Sequence, residues 1–420
     1  MFYGGIDVAK RSHEICLTNE VGDVALNIKV QNNQQGMNKL LLALERLSVK
    51  PENIQFCLEA TGHYWLPIYC HLNKLGFRLH VINPIQSDAL RNYYVRKTKT
   101  DRKDALLLAT LMRFGQTPTT ELPPETVIRL QNLSRLRFRF VDQVSGLKNK
   151  ILAVLDKIFP EYEECFSSVF VQTSKALLKR YPEPEELAQV DLSELAAFLA
   201  KHSRGRLGQD RAEKIRSLAR GTFGINLALD AFTFELRLLL DQVEFIEEQI
   251  KMIEEAIDKI MEEFRPSEDA PYRHVVETIP GIGQVLAAAI IGEIGDIKRF
   301  PNARALVAYS GLDPTVRSSG EFEGTRNRIS KRGSPALRHC LWLAAVSTRR
   351  CNPELKAYYE LKRNQGKHSS VATIAVARRL VHLIYSLWTN DRPFDLGYRW
   401  SPPAEKDARN PYVAVKTSMI

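Results

Sequence analysis

Asp7 in FYGGIDVAK, Glu59 in IQFCLEATGHY, and Asp101 with Asp104 in KTKTDRKDA are four carboxylates placed where they could do chemistry together. Asp7 and Glu59 each close a short apolar run of the kind that forms a strand. Asp101 and Asp104 stand three residues apart, which sets both on one helix face. Two strand-end acids plus a helical pair are the parts of a two-metal phosphoryl-transfer site. Such a site needs several hard oxygen ligands to hold two Mg²⁺ ions about 4 Å apart. The chemistry would be cutting or rejoining a nucleic-acid backbone. Each acid also has a plainer use, as a loop cap or as a first-turn residue favoured by the helix dipole. The flanking Arg96, Lys97, Lys99, Arg102 and Lys103 weigh toward the site, because a phosphate backbone beside a carboxylate–metal centre needs nearby cations. His63, close behind Glu59, reads as a substrate contact or as a polar residue at a helix start.

A second stretch, AYSGLDPTVRSSGEFEGTRNRISKRGSPALRHC, intersperses Arg317, Arg326, Arg328, Lys331, Arg332 and Arg338 with Gly and Ser. It reads as a flexible anion-binding surface. Ser318 and Ser319 follow Arg317 directly, and a serine hydroxyl becomes a phosphoryl nucleophile when a base or metal activates it and cations hold the phosphate. A loop serine is more commonly a hydrogen-bonding residue, and Ser330 is a rival that spacing leaves open. IPGIG, Ile279–Gly283, has the form of a helix-hairpin-helix turn. Its Gly281 and Gly283 would permit the turn and let backbone N–H groups approach a phosphate; the other reading is a plain helix–helix turn.

These residues need elements to position them. Phe2–Asp7, His13–Thr18 and Val24–Val30 read as strands. Helical periodicity over Gln34–Leu47, a strand at Ile54–Glu59, a helix at Tyr64–Leu75, a strand at Arg78–Asn83 and a helix opened by Pro84 follow. Three antiparallel strands followed by helix-separated strands suggest a ribonuclease-H-like mixed sheet. The middle is helical. A basic helix starts at Pro123-Pro124-Glu125 and runs to about Asp156. Short helices follow over 165–220, with loops at Tyr181–Glu185 and His202–Gln209. A long helix from about Ile225 to Phe264 carries an unbroken heptad seam and acidic outer faces. The two long helices could pair with each other as an antiparallel coiled coil, form a dimer zipper, or belong to an ordinary bundle. RPSEDA, Arg265–Ala270, is a polar break. The predicted organisation is 1–122 catalytic, 123–268 helical or coiled-coil, 269–395 a mainly helical C-terminal domain, and 396–420 an irregular tail.

Composition fits. At 420 residues several domains are expected, and a hydrophobic fraction of 44% supports ordinary cores. The net charge of +10 favours an anionic partner. The six cysteines form no CxxC pair and no zinc spacing with His, as in a reducing, cytoplasmic setting. No apolar run reaches the length of a membrane span, and no signal peptide is visible.

GIDVAK, LEATGHY, KTDRKDA, IPGIG, YSGLDP, RSSGEFEG and RISKRGSPALR together resemble the DEDD transposases of the IS110 family, to which the Piv-type DNA invertases are related. The resemblance covers roughly 1–150 and 271–390. It implies a RuvC-like N-terminal domain with Asp7, Glu59, Asp101 and Asp104 as an Mg²⁺-binding tetrad. It implies a nucleophilic serine in the C-terminal domain, placed at Ser319, although Ser318-Ser319-Gly320 stands where the family has Gln-Ser-Gly. It further implies recombination of donor and target double-stranded DNA guided by a structured bridge RNA. Dimers would pair into a tetramer, with acids from one subunit and serine from another, in a nucleoid-associated enzyme. Arg317 and Arg326 would clamp the phosphate. The alternative is a metal-dependent Holliday-junction-type nuclease using water.

Overall fold

The structure is a computed structural model and describes residues 1–60, 62–82, 100–114, 121–315, 318–319, 322–323 and 328–395. The helix expected after Pro84 and the tail beyond residue 395 lie outside these. The chain divides into two compact units, Met1–Leu122 and Pro123–Ile420.

The first unit contains β1 (Phe2–Val8), β2 (Ser12–Thr18), β3 (Val24–Gln31), α1 (Gln34–Glu45), β4 (Ile54–Glu59), α2 (Trp65–Lys74), β5 (Arg78–Ile82) and α3 (Asp101–Arg113). The strands form one sheet in the order β3-β2-β1-β4-β5, with β1 at its centre. β1, β2 and β3 are antiparallel neighbours, while β4 and β5 run parallel to β1. Register aligns Ile28, Ile15, Ile6, Leu58 and Val81 in one row across all five strands. That apolar face takes Leu40 of α1 with Ile68 and Leu72 of α2, and Ile6, Ile15, Phe56 and Leu58 are fully buried. Each such side chain contributes about 1.5–3 kcal/mol by leaving water.

The opposite face receives α3. Leu108 and Met112 pack on Cys57 and Ile82 there. Gly5 makes this possible: a Cβ at that position would lie 1.9 Å from the Ala105 carbonyl oxygen and 2.5 Å from the Ala109 nitrogen. The alternation of β1 therefore spends Ile6 on one layer and Gly5 on the other.

The second unit is built on two helices of 34 residues each, α4 (Glu125–Ile158) and, after α5 (Gln172–Arg180), α6 (Pro184–Gln189), α7 (Leu192–Ser203) and α8 (Gln209–Arg220), the helix α9 (Leu229–Glu262). Basic α4 and acidic α9 pair with each other in antiparallel sense: Arg129 meets Glu263 at 3.2 Å, Arg137 meets Glu254 at 2.7 Å and Lys148 meets Glu247 at 2.9 Å. These pairs are largely solvated and worth little singly. The seam of Leu236, Leu239, Val243, Ile253, Ile257 and Ile260 supplies the burial.

The long helix was expected from Ile225 and begins instead at Leu229. The chain before it is pinned to the end of α4, with the Ile225 N–H donating to the Lys157 carbonyl at 2.8 Å. Gly224 lies so close that a Cβ would stand 2.1 Å from the Ile158 carbonyl oxygen, and Ala228 takes a left-handed φ of 54°.

One end of the α4–α9 pair carries α5 to α8 around Tyr162, Leu177 and Leu199. The other end carries α10 (Gln284–Ile294), α11 (Ala303–Ser310), α12 (Pro335–Cys351), α13 (Pro353–Asn364) and α14 (Ser369–Thr389). Ser334 caps α12 through the Leu337 N–H, with Pro335 at the first helical position. By length and composition alone α14 is apolar enough to cross a membrane, with mean hydropathy 1.3, but half of that stretch is buried inside the unit. Its apolar stripe, including Val376, Leu380, Leu383 and Leu387, is spent in the core of this unit.

Candidate active site and anion-binding hairpin

In parallel pairing, Ile6 stands beside Leu58, so Asp7 and Glu59 come one residue later at the same edge of neighbouring strands. Strands lie about 4.8 Å apart, and both residues share the face that carries Gly5 and Cys57. α3 crosses this face with a definite polarity. Its last residue, Arg113, donates a guanidinium N–H to the Val21 carbonyl in the β2–β3 turn, near the start of β1. Its first turn is therefore at the far end of β1, beside Asp7 and Glu59. Thr100 caps that turn by accepting from the Lys103 N–H at 3.4 Å. Asp104 is buried and Asp101 exposed, with Arg102 and Lys103 exposed around them.

The strand register adds an acid that sequence reading did not single out. Glu14 of β2 pairs directly with Asp7. Its Oε2 is buried with no hydrogen-bond partner among the described residues. The signal was only the alternation of SHEICLT, which is invisible without the register. Below the acids, burial first and then the charge of Glu59 push the Cys57 thiol up to about 12. Cys57 thus keeps its proton as it stands beneath these acids.

The donor chemistry of this edge suits a hard divalent cation: carboxylates from two strand ends and one helix turn, and no soft ligand in play. Among the described residues, no three such side chains converge closely enough to enclose an ion as they stand. Lys97 and Lys99 lie outside the described residues.

In the second unit, residues after α11 return on themselves as a hairpin. β6 (Ser318–Ser319) and β7 (Phe322–Glu323) pair Ser318 with Glu323 and Ser319 with Phe322. At the root, the Thr315 N–H donates to the Arg328 carbonyl at 2.7 Å, Pro314 bridges Ile329, and the Ser330 N–H donates to the Asp313 carbonyl at 2.8 Å. The rival Ser330 also donates its hydroxyl to the Asp313 carboxylate, which ties it into the root. Arg317 and Arg326 lie outside the described residues. Arg328, Lys331 and Arg332 are exposed, and their side chains meet no carboxylate among the described residues.

The hairpin's return is anchored hard. The Lys331 N–H donates to the Gly311 carbonyl at 3.1 Å and the Ser334 N–H to the Tyr309 carbonyl at 2.7 Å. Lys331 is held at φ 57°, and a Cβ on Gly333 would stand 1.8 Å from the Tyr309 oxygen. Beneath it lies Glu293 of α10, 3% exposed. It accepts from Arg135 Nε at 2.5 Å and Nη2 at 3.0 Å, and from the Ser334 hydroxyl at 3.0 Å. The hydrogen bond to Glu293 is the leading cause of a raised Arg135 pKa, so the guanidinium is firmly charged. A lone acid in the apolar run LAAAIIGEIG was the available signal for this network.

The IPGIG turn splits the roles of its glycines. Gly281, at φ 95°, packs on α12, where a Cβ would meet the Thr348 backbone at 2.9 Å. Gly283 starts α10 with no side-chain cap, and the space a Cβ would occupy there is open.

Comparison with known proteins gives two matches in chain order. Residues 4–160 match a profile described as transposase, and residues 273–360 match the transposase IS116/IS110/IS902 family. Together they span more than half of the chain. Among similar proteins are the mini-circle protein for IS117 of Streptomyces coelicolor, 25% identical over 95% of this chain and 96% of its own length. The insertion element IS116 44.8 kDa protein of Streptomyces clavuligerus is 25% identical over 93% and 95%. The pilin gene-inverting protein of Moraxella lacunata is 23% identical over 94% and 97%.

Proposed function

The chain belongs to the IS116/IS110/IS902 transposase family, and from that premise we propose that it recombines DNA strands through a covalent phosphoserine link made by Ser319. Transposases and recombinases are DNA-processing enzymes, and this chain is one of them. The observation that carries the proposed chemistry is the polarity of α3. It supports a reading in which Asp101 and Asp104 stand at the sheet edge that carries Asp7, next to last in β1, and Glu59, last in β4. A sheet ordered 3-2-1-4-5, antiparallel in its first three strands and parallel in the rest, supports a RuvC-like reading of this unit.

Asp7, Glu59, Asp101 and Asp104 would hold Mg²⁺, which when bound neutralises phosphate charge and lowers the pKa of a coordinated oxygen. The Ser319 oxygen attacks the scissile phosphorus as its proton passes to solvent, the bond to the 3′ oxygen breaks, and that oxygen takes up a proton from solvent. The strand leaves as a 3′-hydroxyl. A 3′-hydroxyl from the partner duplex then attacks the phosphoserine, and the serine recovers a proton as it departs. One phosphodiester replaces another with no external energy source. Arg328, Lys331 and Arg332, with Arg317 and Arg326, would hold the phosphate through the transition state. Residues 123–268 would space the two chemistries and residues 269–395 would carry the serine. A structured RNA from the chain's own element would select donor and target DNA. Dimers paired into a tetramer would bring acids and serine of different subunits together.

The test is a covalent-adduct assay. The protein is expressed with its flanking element DNA so that any guide RNA co-purifies. It is then given Mg²⁺ with labelled donor and target duplexes. The expected result is protease-sensitive DNA–protein adduct in wild type and in Ser318→Ala, and none in Ser319→Ala or Asp7→Ala. Cleavage that survives in Ser319→Ala without any adduct would make the protein a hydrolytic, junction-type nuclease.

A further inference from the structure

Between the hairpin root and the helices beneath it lies a pocket of about 320 Å³. Its apolar walls are Leu312 and Ile329 from the two sides of the root and Ile374 from α14, with the Trp342 indole from α12. Arg338 and His339, also from α12, add polar groups to the lining. Helical spacing explains the arrangement, since residues 338, 339 and 342 share one face of α12. Two of these side chains are held in place. Arg338 donates to the Ser310 carbonyl at 3.2 Å, and the His339 ring meets Phe138 of α4 edge-on at 5.1 Å. Trp342 is half-buried and has neither a hydrogen bond nor a ring partner among the described residues.

We propose that this pocket receives one unpaired nucleobase of the nucleic acid that the hairpin cations hold. The volume sits at the low end of small-ligand sites, about 300–1,000 Å³, which suits a single nucleoside and excludes a helix or a folded peptide. An indole without a stacking partner supplies the plate on which a base stacks. The charge around it selects the same ligand. Ile329, a wall of the pocket, lies in sequence between Arg328 and the pair Lys331 and Arg332, all exposed and without carboxylate partners among the described residues. A base entering the pocket would place its own backbone phosphates against these cations. Unpaired bases occur wherever a duplex is opened or a guide strand is displaced, and extrusion of a base costs least at such points. This inference deepens the DNA-recombining reading by naming what the serine-bearing unit recognises beside the phosphate.

The test uses the full chain and an oligothymidylate carrying one 5-iodouracil as photo-cross-linking probe, with affinity read in parallel by fluorescence anisotropy. The expected cross-link maps to the peptide containing Trp342. Single-strand affinity falls about tenfold to a hundredfold in Trp342→Ala and is largely kept in Trp342→Phe, which retains a stacking ring and the packing. Unchanged affinity in Trp342→Ala, or a cross-link confined to other surfaces in the well-folded Trp342→Phe protein and wild type alike, would overturn the proposal. The result is independent of catalysis. A Trp342 cross-link without any covalent adduct would leave the pocket and sink serine recombination. An adduct with no Trp342 cross-link would do the reverse.

Discussion

Asp7 and Glu14 are register partners across β1 and β2, which sets two carboxylates side by side on the face that α3 covers. Directly opposed side chains on antiparallel strands have Cβ atoms about 4.5–5.5 Å apart, and like charges at that range repel. A cation held by Asp7 relieves this repulsion, so Glu14 should strengthen its binding without contacting DNA. Glu14→Gln is expected to raise the Mg²⁺ concentration for half-maximal adduct formation by about tenfold, the scale on which outer carboxylates tune metal affinity. DNA affinity measured without Mg²⁺ should hold steady. A Mg²⁺ titration that superimposes on wild type would remove Glu14 from the site.

Buried Glu293 and half-exposed Arg135 form an ion pair that ties α4, α10 and the cap of α12 together through Ser334. Removing Arg135 leaves the buried Glu293 carboxylate without its cation, at a cost of up to about 3–5 kcal/mol, whereas removing Glu293 leaves an arginine that can turn to water. Arg135→Met should destabilise the protein by roughly that much in denaturant unfolding, and Glu293→Leu by clearly less. The double variant should recover much of the loss, because no orphan charge remains. Strictly additive losses would mean that the pair acts through separate partners.

His274 gives the second unit a pH limit. Burial lowers its pKa to about 4. The ring lies edge-on to Trp388 at 4.4 Å, and its Nδ1 accepts from the Val276 N–H at 3.2 Å, which needs the nitrogen unprotonated. The unfolded chain takes up this proton near pH 6.5 and the folded chain only near 4. Between those values the unfolded state holds more protons, so stability falls as pH is lowered through the window and is complete above it. The loss is at most about 3 kcal/mol. Thermal melts from pH 7 to 4.5 should show it in wild type and show a shallower slope in His274→Phe. Equal slopes would place the acid sensitivity elsewhere.

What could be read in the chain without coordinates follows physical range. Ile6, Ile15 and Leu58 alternate locally, so the strands that end in Asp7 and Glu59 were legible, as was the heptad of α9. The α3 face was legible at Asp101 and Asp104, but its polarity was not. That depends on the contact of Arg113 with Val21, 92 residues away in sequence. Whether the heptad of α9 meets α4 or a second chain also lay beyond the pattern, because both partners bury the same residues. The pairs Arg129–Glu263 and Arg137–Glu254 join α9 to α4 within the chain. Glu14 and Glu293 went unnoticed for one reason: an acid in an apolar element declares itself only once its neighbours in space are known. Trp342 likewise looks like ordinary core in a helical stripe until the hairpin root is placed over it.

Arg328, Lys331 and Arg332 follow closely along the anchored return of the hairpin, held exposed by a backbone with Lys331 at φ 57°. On the proposed reading, this well-anchored loop, whose cations meet no carboxylate among the described residues, presents them to an external anion. Each cation that neutralises a DNA phosphate releases counterion and adds about 0.9 to the salt slope of binding. Replacing all three by alanine should weaken duplex affinity about equally for unrelated sequences. It should also flatten the dependence of log Kd on log salt by up to about 2.7, from three contacts. Anisotropy titrations over a range of KCl concentrations measure this directly. Because the side chains are exposed and make no structural pair among the described residues, the melting temperature should stay near that of wild type. A salt slope equal to that of wild type would mean that these cations do not touch the backbone, and the hairpin would then lose its role as the phosphate clamp.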